Sequence, residues 1–242
     1  MKDVVLTVQT NEKIAKNTYR MTLSGDMTGV KSGGFVNLRL DGFYLRRPIS
    51  VCDVSDDTLT IIYKVVGKGT EKMAAYTAGK TIETLTGLGN GYDESKAGDA
   101  PLLIGGGAGV PPMYLLCKNL IAAGKNPTVI LGFGAKDEVF YEEEFLALGV
   151  KVLVTTVDGS YGVKGFVTDA MAGLSYTDVY TCGPEPMLKA VYDKTVTSGQ
   201  FSFEERMGCG FGACMGCTCK TKYGNKRICR DGPVLKKEEV IW

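Results

Sequence analysis

Pro101-Leu102-Leu103-Ile104-Gly105-Gly106-Gly107-Ala108-Gly109-Val110-Pro111-Pro112 is the stretch on which the fold turns. Its apolar start predicts a short strand, its glycines a tight loop, and the run Met113–Ala123, stopped by Gly124, a helix. Strand, glycine loop and helix together suit a nucleotide phosphate. Glycine admits close backbone approach, and a helix start attracts negative charge. Gly105, Gly106, Gly107, Ala108 and Gly109 are therefore candidate NAD-binding residues. The spacing is not G-x-G-x-x-G as usually written, and such a turn is often only a tight connection, so this stretch alone leaves both readings open.

Downstream the rhythm continues: strand Thr128–Phe133, helix Val139–Leu148, strand Lys151–Thr156, short helix Val167–Ala172 and strand Asp178–Thr181. Cys182-Gly183-Pro184-Glu185-Pro186 then starts a last helix, Met187–Ser198. Strands alternating with helices predict a parallel sheet whose ligand lies at the carboxyl ends of the strands. Cys182 falls at such an end and is a candidate contact to a nicotinamide, simple packing being the other reading. Cys52 and Cys117 lie in apolar patterns and read as small core residues. After the second strand, Lys136-Asp137-Glu138 offers two carboxylates against one lysine. An acidic side chain there bonds a ribose 2′-OH, which makes Asp137 the candidate for preferring NADH over NADPH; the alternative is that both acids only favour the next helix start.

Upstream, residues 1 to 97 read as short strands at Val4–Thr10, Tyr19–Leu23, Phe35–Leu40, Ile49–Val54, Thr58–Val65 and Thr81–Leu85, separated by Gly, Asp, Asn and Ser clusters. That pattern predicts an antiparallel barrel or sandwich, with one helix at Thr70–Ala78 ending at Gly79. Arg46-Arg47-Pro48-Ile49-Ser50 puts a guanidinium and a hydroxyl at a strand start, and Gly67-Lys68-Gly69-Thr70 opens the helix. Both can grip phosphate, so the pair suggests a dinucleotide. Either motif alone is equally a surface charge or a turn.

The third signature is Cys209-Gly-Phe-Gly-Ala-Cys214-Met-Gly-Cys217, a C-x4-C-x2-C run, with Cys229 twelve residues on. This is the plant-type [2Fe–2S] spacing, and the intervening small residues let amide N–H groups reach the sulfurs. Zinc would also take four Cys, but structural zinc usually uses two short knuckles and only one is clear here. Disulfides need an oxidising compartment, which nothing in the chain suggests. Cys219 is a fifth thiol within reach of the set; the x2 spacing favours Cys217.

At 242 residues and 44% hydrophobic content the chain can build real cores. A net charge of +1 from 28 basic and 27 acidic side chains, without long runs of one sign, points to neither nucleic acid nor an anionic membrane. No apolar run approaches the roughly 18 residues of a membrane span and no targeting segment is evident, so a cytoplasmic protein is expected. Histidine is absent. That excludes Rieske ligation, Ser-His and Cys-His nucleophile systems and H-E-x-x-H zinc sites, and leaves catalysis to cofactors.

The order R-P-I-S, G-K-G-T, G-G-G-A-G-V-P-P, C-G-P-E-P-M resembles the ferredoxin–NADP reductase superfamily. The later E-R-M-G-C-G-F-G-A-C-M-G-C-T-C and I-C-R-D-G-P-V-L are similar to the electron-transfer subunits of dihydroorotate dehydrogenase B. The resemblance implies an FAD-binding β-barrel over residues 1–97, an NAD-binding α/β domain over 98–200 and a small [2Fe–2S] segment over 201–242. It implies FAD on Arg47, Pro48, Ile49, Ser50, Ile62, Tyr63, Lys64, Gly69 and Thr70, a cluster on Cys209, Cys214, Cys217 and Cys229, and NAD(H) as substrate. It further implies a partner, an FMN-containing catalytic subunit that interconverts dihydroorotate and orotate, in a heterotetramer of two plus two. Two rival readings remain: a reductase subunit of a related complex, of NADPH:ferredoxin transhydrogenase or anaerobic sulfite reductase type, and a non-catalytic zinc-binding regulator.

Overall fold

The computed structural model describes residues 1–242. Strands β1 (Lys2–Ala15), β2 (Thr18–Ser24), β3 (Phe35–Leu38), β4 (Arg47–Val54), β5 (Thr58–Lys64) and β6 (Thr81–Leu88) close into an antiparallel barrel in the order β1-β2-β5-β4-β3-β6. Alternation explains the closure: Leu6, Val8, Met21, Leu23, Val36, Leu38, Leu59 and Ile61 point inward and share one buried cluster. Helix α1 (Lys68–Ala74) lays Met73 into the same cluster. It is shorter than the spacing predicts. Its start is held by Thr70, whose Oγ1 accepts from the N–H groups of Val66 and Gly67.

Beyond the barrel come β7 (Leu102–Gly106), α2 (Pro111–Ala122), β8 (Thr128–Phe133), α3 (Glu142–Ala147), β9 (Lys151–Thr156), β10 (Val163–Lys164), α4 (Val167–Ala170), β11 (Val179–Cys182), α5 (Glu185–Lys194) and β12 (Gly199–Ser202). The chain then forms a hairpin, β13 (Thr218–Thr221) with β14 (Gly224–Arg227), a turn of helix α6 (Ile228–Asp231), and β15 (Val234–Lys236). The sheet order is β10-β9-β8-β7-β11-β12-β15, parallel except that β15 runs antiparallel to β12. After β10 the chain returns to the other side of β7, so the switch point lies between β7 and β11, where an open parallel sheet binds its ligand. Helix α3 starts three residues later than predicted. Phe140 and Tyr141 are buried, and Tyr141 takes a left-handed backbone at φ 67° before the helix begins.

The cysteine-rich tail does not hang free. β15 extends the sheet, and Cys217, Ile228 and Cys229 pack with Phe35, Leu85 and Leu88 on the outside of the barrel. Barrel and sheet meet in a second cluster that joins Cys52 and Ile62 to Leu103, Met113 and Phe140. Ion pairs fasten its rim: Lys118 to Asp53 at 2.7 Å, Lys16 to Asp137 at 2.9 Å and Lys64 to Glu138 at 3.3 Å. No helix is long and apolar enough to cross a membrane.

Candidate functional site

The two phosphate motifs of the barrel converge. The Arg47 guanidinium stacks on the Phe43 ring at 4.8 Å and lies against Gly69, where an added Cβ would overlap it. β4 supplies Arg47, Pro48, Ile49 and Ser50, and α1 supplies Gly69 and Thr70. The Thr70 hydroxyl is engaged by its own turn, donating to the Gly67 carbonyl at 3.0 Å, so its backbone is what remains for a phosphate. On β5, alternation separates the neighbours. Tyr63 points into the barrel, stacks on Tyr19 and donates to Asn11 Oδ1 at 2.9 Å. Ile62 faces the sheet domain, and Lys64 reaches Glu138 there. Tyr63 can therefore meet a cofactor only through its backbone.

At the sheet, Gly105 and Gly106 end β7, and Gly107 turns with φ +51°. A Cβ on Gly109 would strike the Cys182 carbonyl, so glycine is required for the loop to approach the end of β11. This contact brings the glycine loop and Cys182-Gly183-Pro184 together at the switch point. Burial pushes the Cys182 thiol up to about 12, against a hydrogen bond with Ser202, so it stays neutral. Asp137, at the end of β8, pairs its exposed carboxylate with Lys16 of the barrel at 2.9 Å, and its neighbour Glu138 shares a pocket with Gly107 and Ala108.

One cavity of about 800 Å³ lies where barrel, sheet and tail meet, and Gly107 and Ala108 of the glycine loop face a second, smaller pocket with Ile62, Tyr63 and Lys64. Arg46, Arg47 and Pro48 of the barrel, Gly183, Pro184 and Glu185 of the sheet, and Met207 and Cys219 of the tail all line it. A cradle on Arg47 and Gly69, opening into a chamber of this size, fits a flavin dinucleotide, and the glycine loop beside Cys182 fits a nicotinamide nucleotide.

The four thiols of the tail fall into two pairs. Cys209 Sγ accepts from the N–H groups of Ala213 at 3.2 Å and Cys214 at 3.4 Å, and Cys214 Sγ from those of Cys209 and Gly216 at 3.5 Å. Cys217 Sγ accepts from the Cys229 N–H at 3.4 Å, and both of these residues are buried. Burial opposes ionisation of Cys209, but the backbone N–H groups of Cys214, Phe211 and Ala213 outweigh it and pull the thiol down to about 6. Two thiol pairs with N–H groups aimed at sulfur suit a dinuclear [2Fe–2S] cluster. Cys219, the fifth thiol, lines the cavity.

Several residues of the chamber were not singled out from the sequence. Phe203, Glu204, Glu205 and Trp242 line it from the tail, and Asn37 of β3 donates to the Cys209 carbonyl at 3.2 Å. Asn37 carried one local signal, a polar amide in the strand Phe35-Val36-Asn37-Leu38, where Asn is disfavoured.

Residues 103–193 match the oxidoreductase NAD-binding domain, and residues 204–241 match the iron-sulfur cluster binding domain of dihydroorotate dehydrogenase B. The dihydroorotate dehydrogenase B (NAD(+)) electron transfer subunit of Bacillus pumilus is 44% identical, over 99% of this chain and 98% of its own. The subunit of the same name from Fusobacterium nucleatum subsp. nucleatum is also 44% identical, over 99% of each chain. Among solved structures, a chain of an NADH-dependent reduced ferredoxin-NADP oxidoreductase superposes with a TM-score of 0.88 at 31% identity, covering 98% of this chain and 90% of its own. With the barrel, the switch-point loop and the paired thiols in place, this chain belongs to the family of dihydroorotate dehydrogenase B (NAD(+)) electron transfer subunits.

Proposed function

We propose that this chain takes a hydride from NADH onto FAD and passes single electrons through a [2Fe–2S] cluster to or from a catalytic subunit that carries FMN and interconverts dihydroorotate and orotate. The observation that carries the reading is the shared cavity, because barrel, sheet edge and cysteine tail each contribute wall to one chamber. Bound there, FAD would supply the conversion between paired electrons from a nicotinamide and single electrons for a cluster, chemistry that amino-acid side chains do not supply.

The chain's own residues do the positioning. Arg47, braced by Phe43, presents a planar fork to the pyrophosphate, with Gly69 and the Thr70 backbone beside it. Pro48, Ile49 and Ser50 continue that strand, and Ile62, the Tyr63 backbone and Lys64 line a second, smaller pocket together with Gly107 and Ala108 of the glycine loop. Gly105, Gly106, Gly107, Ala108 and Gly109 receive the nicotinamide nucleotide, with the neutral Cys182 at the ring. Cys209, Cys214, Cys217 and Cys229 hold the cluster, its buried pair against the barrel and its outer pair toward the surface. Phe211, between Cys209 and Cys214, and Met215, next to Cys214, are exposed and suit a protein partner. The assignment of 1–97 to flavin, 98–200 to NAD and 201–242 to the cluster, the two-plus-two assembly and a cytoplasmic location belong to the same proposal.

The test is NADH-dependent reduction of orotate by this chain co-purified with its partner. A brown-yellow preparation that shows flavin and iron–sulfur absorption yet leaves orotate untouched would refute the pyrimidine assignment. The likeness to the reduced ferredoxin-NADP oxidoreductase chain supports a second reading, a subunit that exchanges electrons with ferredoxin. Ferredoxin reduction in the same preparation, without orotate reduction, would establish it.

A further inference from the structure

β3 is four residues long, and alternation gives it two faces with different duties. Val36 and Leu38 point into the barrel core. Phe35 points outward, in the cluster that contains Cys217 and Cys229. Asn37 shares that outer face, is 1% exposed, and donates from Nδ2 to the Cys209 carbonyl across 172 residues of sequence. The outer face of one short strand thus carries both thiol pairs.

The fit around Asn37 is close. Gly210, next to Cys209, has φ +79°, and a Cβ there would overlap the Asn37 amide. The Asn37 Oδ1 has no partner, so the amide is oriented by its donor side alone; reversing it would set two oxygens against each other. Asn37 is also paired across the ladder with Pro48, and Leu38 with Arg47, so the strand that touches the cysteine loop is bonded directly to the proposed flavin strand. Arg46 donates to the Asn37 carbonyl at 3.4 Å.

We infer that Asn37 is a positioning residue for electron exchange between flavin and cluster: its amide fixes the Cys209–Cys214 loop on β3, the strand laddered to the proposed flavin strand β4. The inference rests on the proposed function for the identity of the two groups. It does not follow from it, since the four ligands could be held by the tail alone. Electron tunnelling falls off exponentially with the gap between donor and acceptor, and hydrogen bonding around a cluster tunes its potential. A loop released from Asn37 changes both.

The experiment compares Asn37→Asp, which keeps the shape but sets a carboxylate against the Cys209 carbonyl, with Asn37→Ala, which only removes the donor. Stopped-flow mixing with NADH follows flavin bleaching and cluster reduction separately, electron paramagnetic resonance reads the cluster, and amide hydrogen exchange reads residues 208–214. Flavin bleaching is expected at the wild-type rate in both variants, with cluster reduction slowed about tenfold or more. The cluster signal should shift and exchange in the loop should rise. Loss of the cluster with FAD retained in both variants overturns the inference, since Asn37 would then serve to hold the cluster rather than to position it for exchange. Cluster reduction within about twofold of wild type with an unshifted signal overturns it. So does loss of FAD in both variants, which would make Asn37 a barrel residue only. Absence of flavin or cluster from the wild-type chain would instead sink the proposed function.

Discussion

The guanidinium of Arg47 lies directly against Gly69, so closely that a Cβ at position 69 would overlap it, although the two residues belong to a strand and a helix with the whole of β5 between them in sequence. Two phosphate grips that are weak signals singly become one cradle.

Replacing Arg47 by Ala should weaken FAD by about 1.5–3 kcal/mol, roughly one to two decades in affinity, because a charge-assisted fork is lost. Arg47→Lys should restore only part of this, since it keeps the charge without the planar fork. Stoichiometric FAD in dialysed Arg47→Ala would show that the residue is only a surface charge.

Cys214→Ser should abolish the cluster signal of dithionite-reduced protein while FAD stays bound, because the cradle on Arg47 and Gly69 shares no residue with the thiol pairs. NADH should still bleach the flavin, and transfer onward to the partner should stop. An unchanged paramagnetic signal would mean that the ligand set is wrong.

NADH should show a higher kcat/KM than NADPH. The end of β8 is acidic, but its two carboxylates are tied to barrel lysines, Asp137 to Lys16 at 2.9 Å and Glu138 to Lys64 at 3.3 Å. Asp137→Ala should therefore act twice, removing an acid and freeing an ammonium to meet a 2′-phosphate, and shift the ratio several-fold toward NADPH. Steady-state kinetics with both donors on both proteins check this; an unmoved ratio would confine Asp137 to fastening barrel and sheet.

Cys182 should affect flavin reduction without making it pH-dependent. Burial raises its thiol to about 12, so the protonated form persists below that value and no thiolate forms at ordinary assay pH. Cys182→Ser should change kcat/KM for NADH and leave the shape of its pH profile alone. A wild-type inflection in the neutral range that disappears in the variant would contradict a neutral thiol.

What the sequence by itself determined is local. The C-x4-C-x2-C spacing, the glycine turn after Leu102–Ile104 and the turn-separated short strands of the first ninety residues each report backbone conformation or ligand chemistry within a few neighbours, and the barrel and the sheet appear where those patterns place them. Tertiary structure alone decided which surfaces meet. Asp137 gained Lys16 as an ion-pair partner, Tyr63 turned into the barrel, β12 and β15 drew the cysteine tail onto the sheet edge, and Asn37 found Cys209. The physical reason is that alternation tells which side chains share a face but not what covers that face. The outer side of β3 reads the same whether it meets solvent or the cluster loop, and only the docking of barrel, sheet and tail settles it.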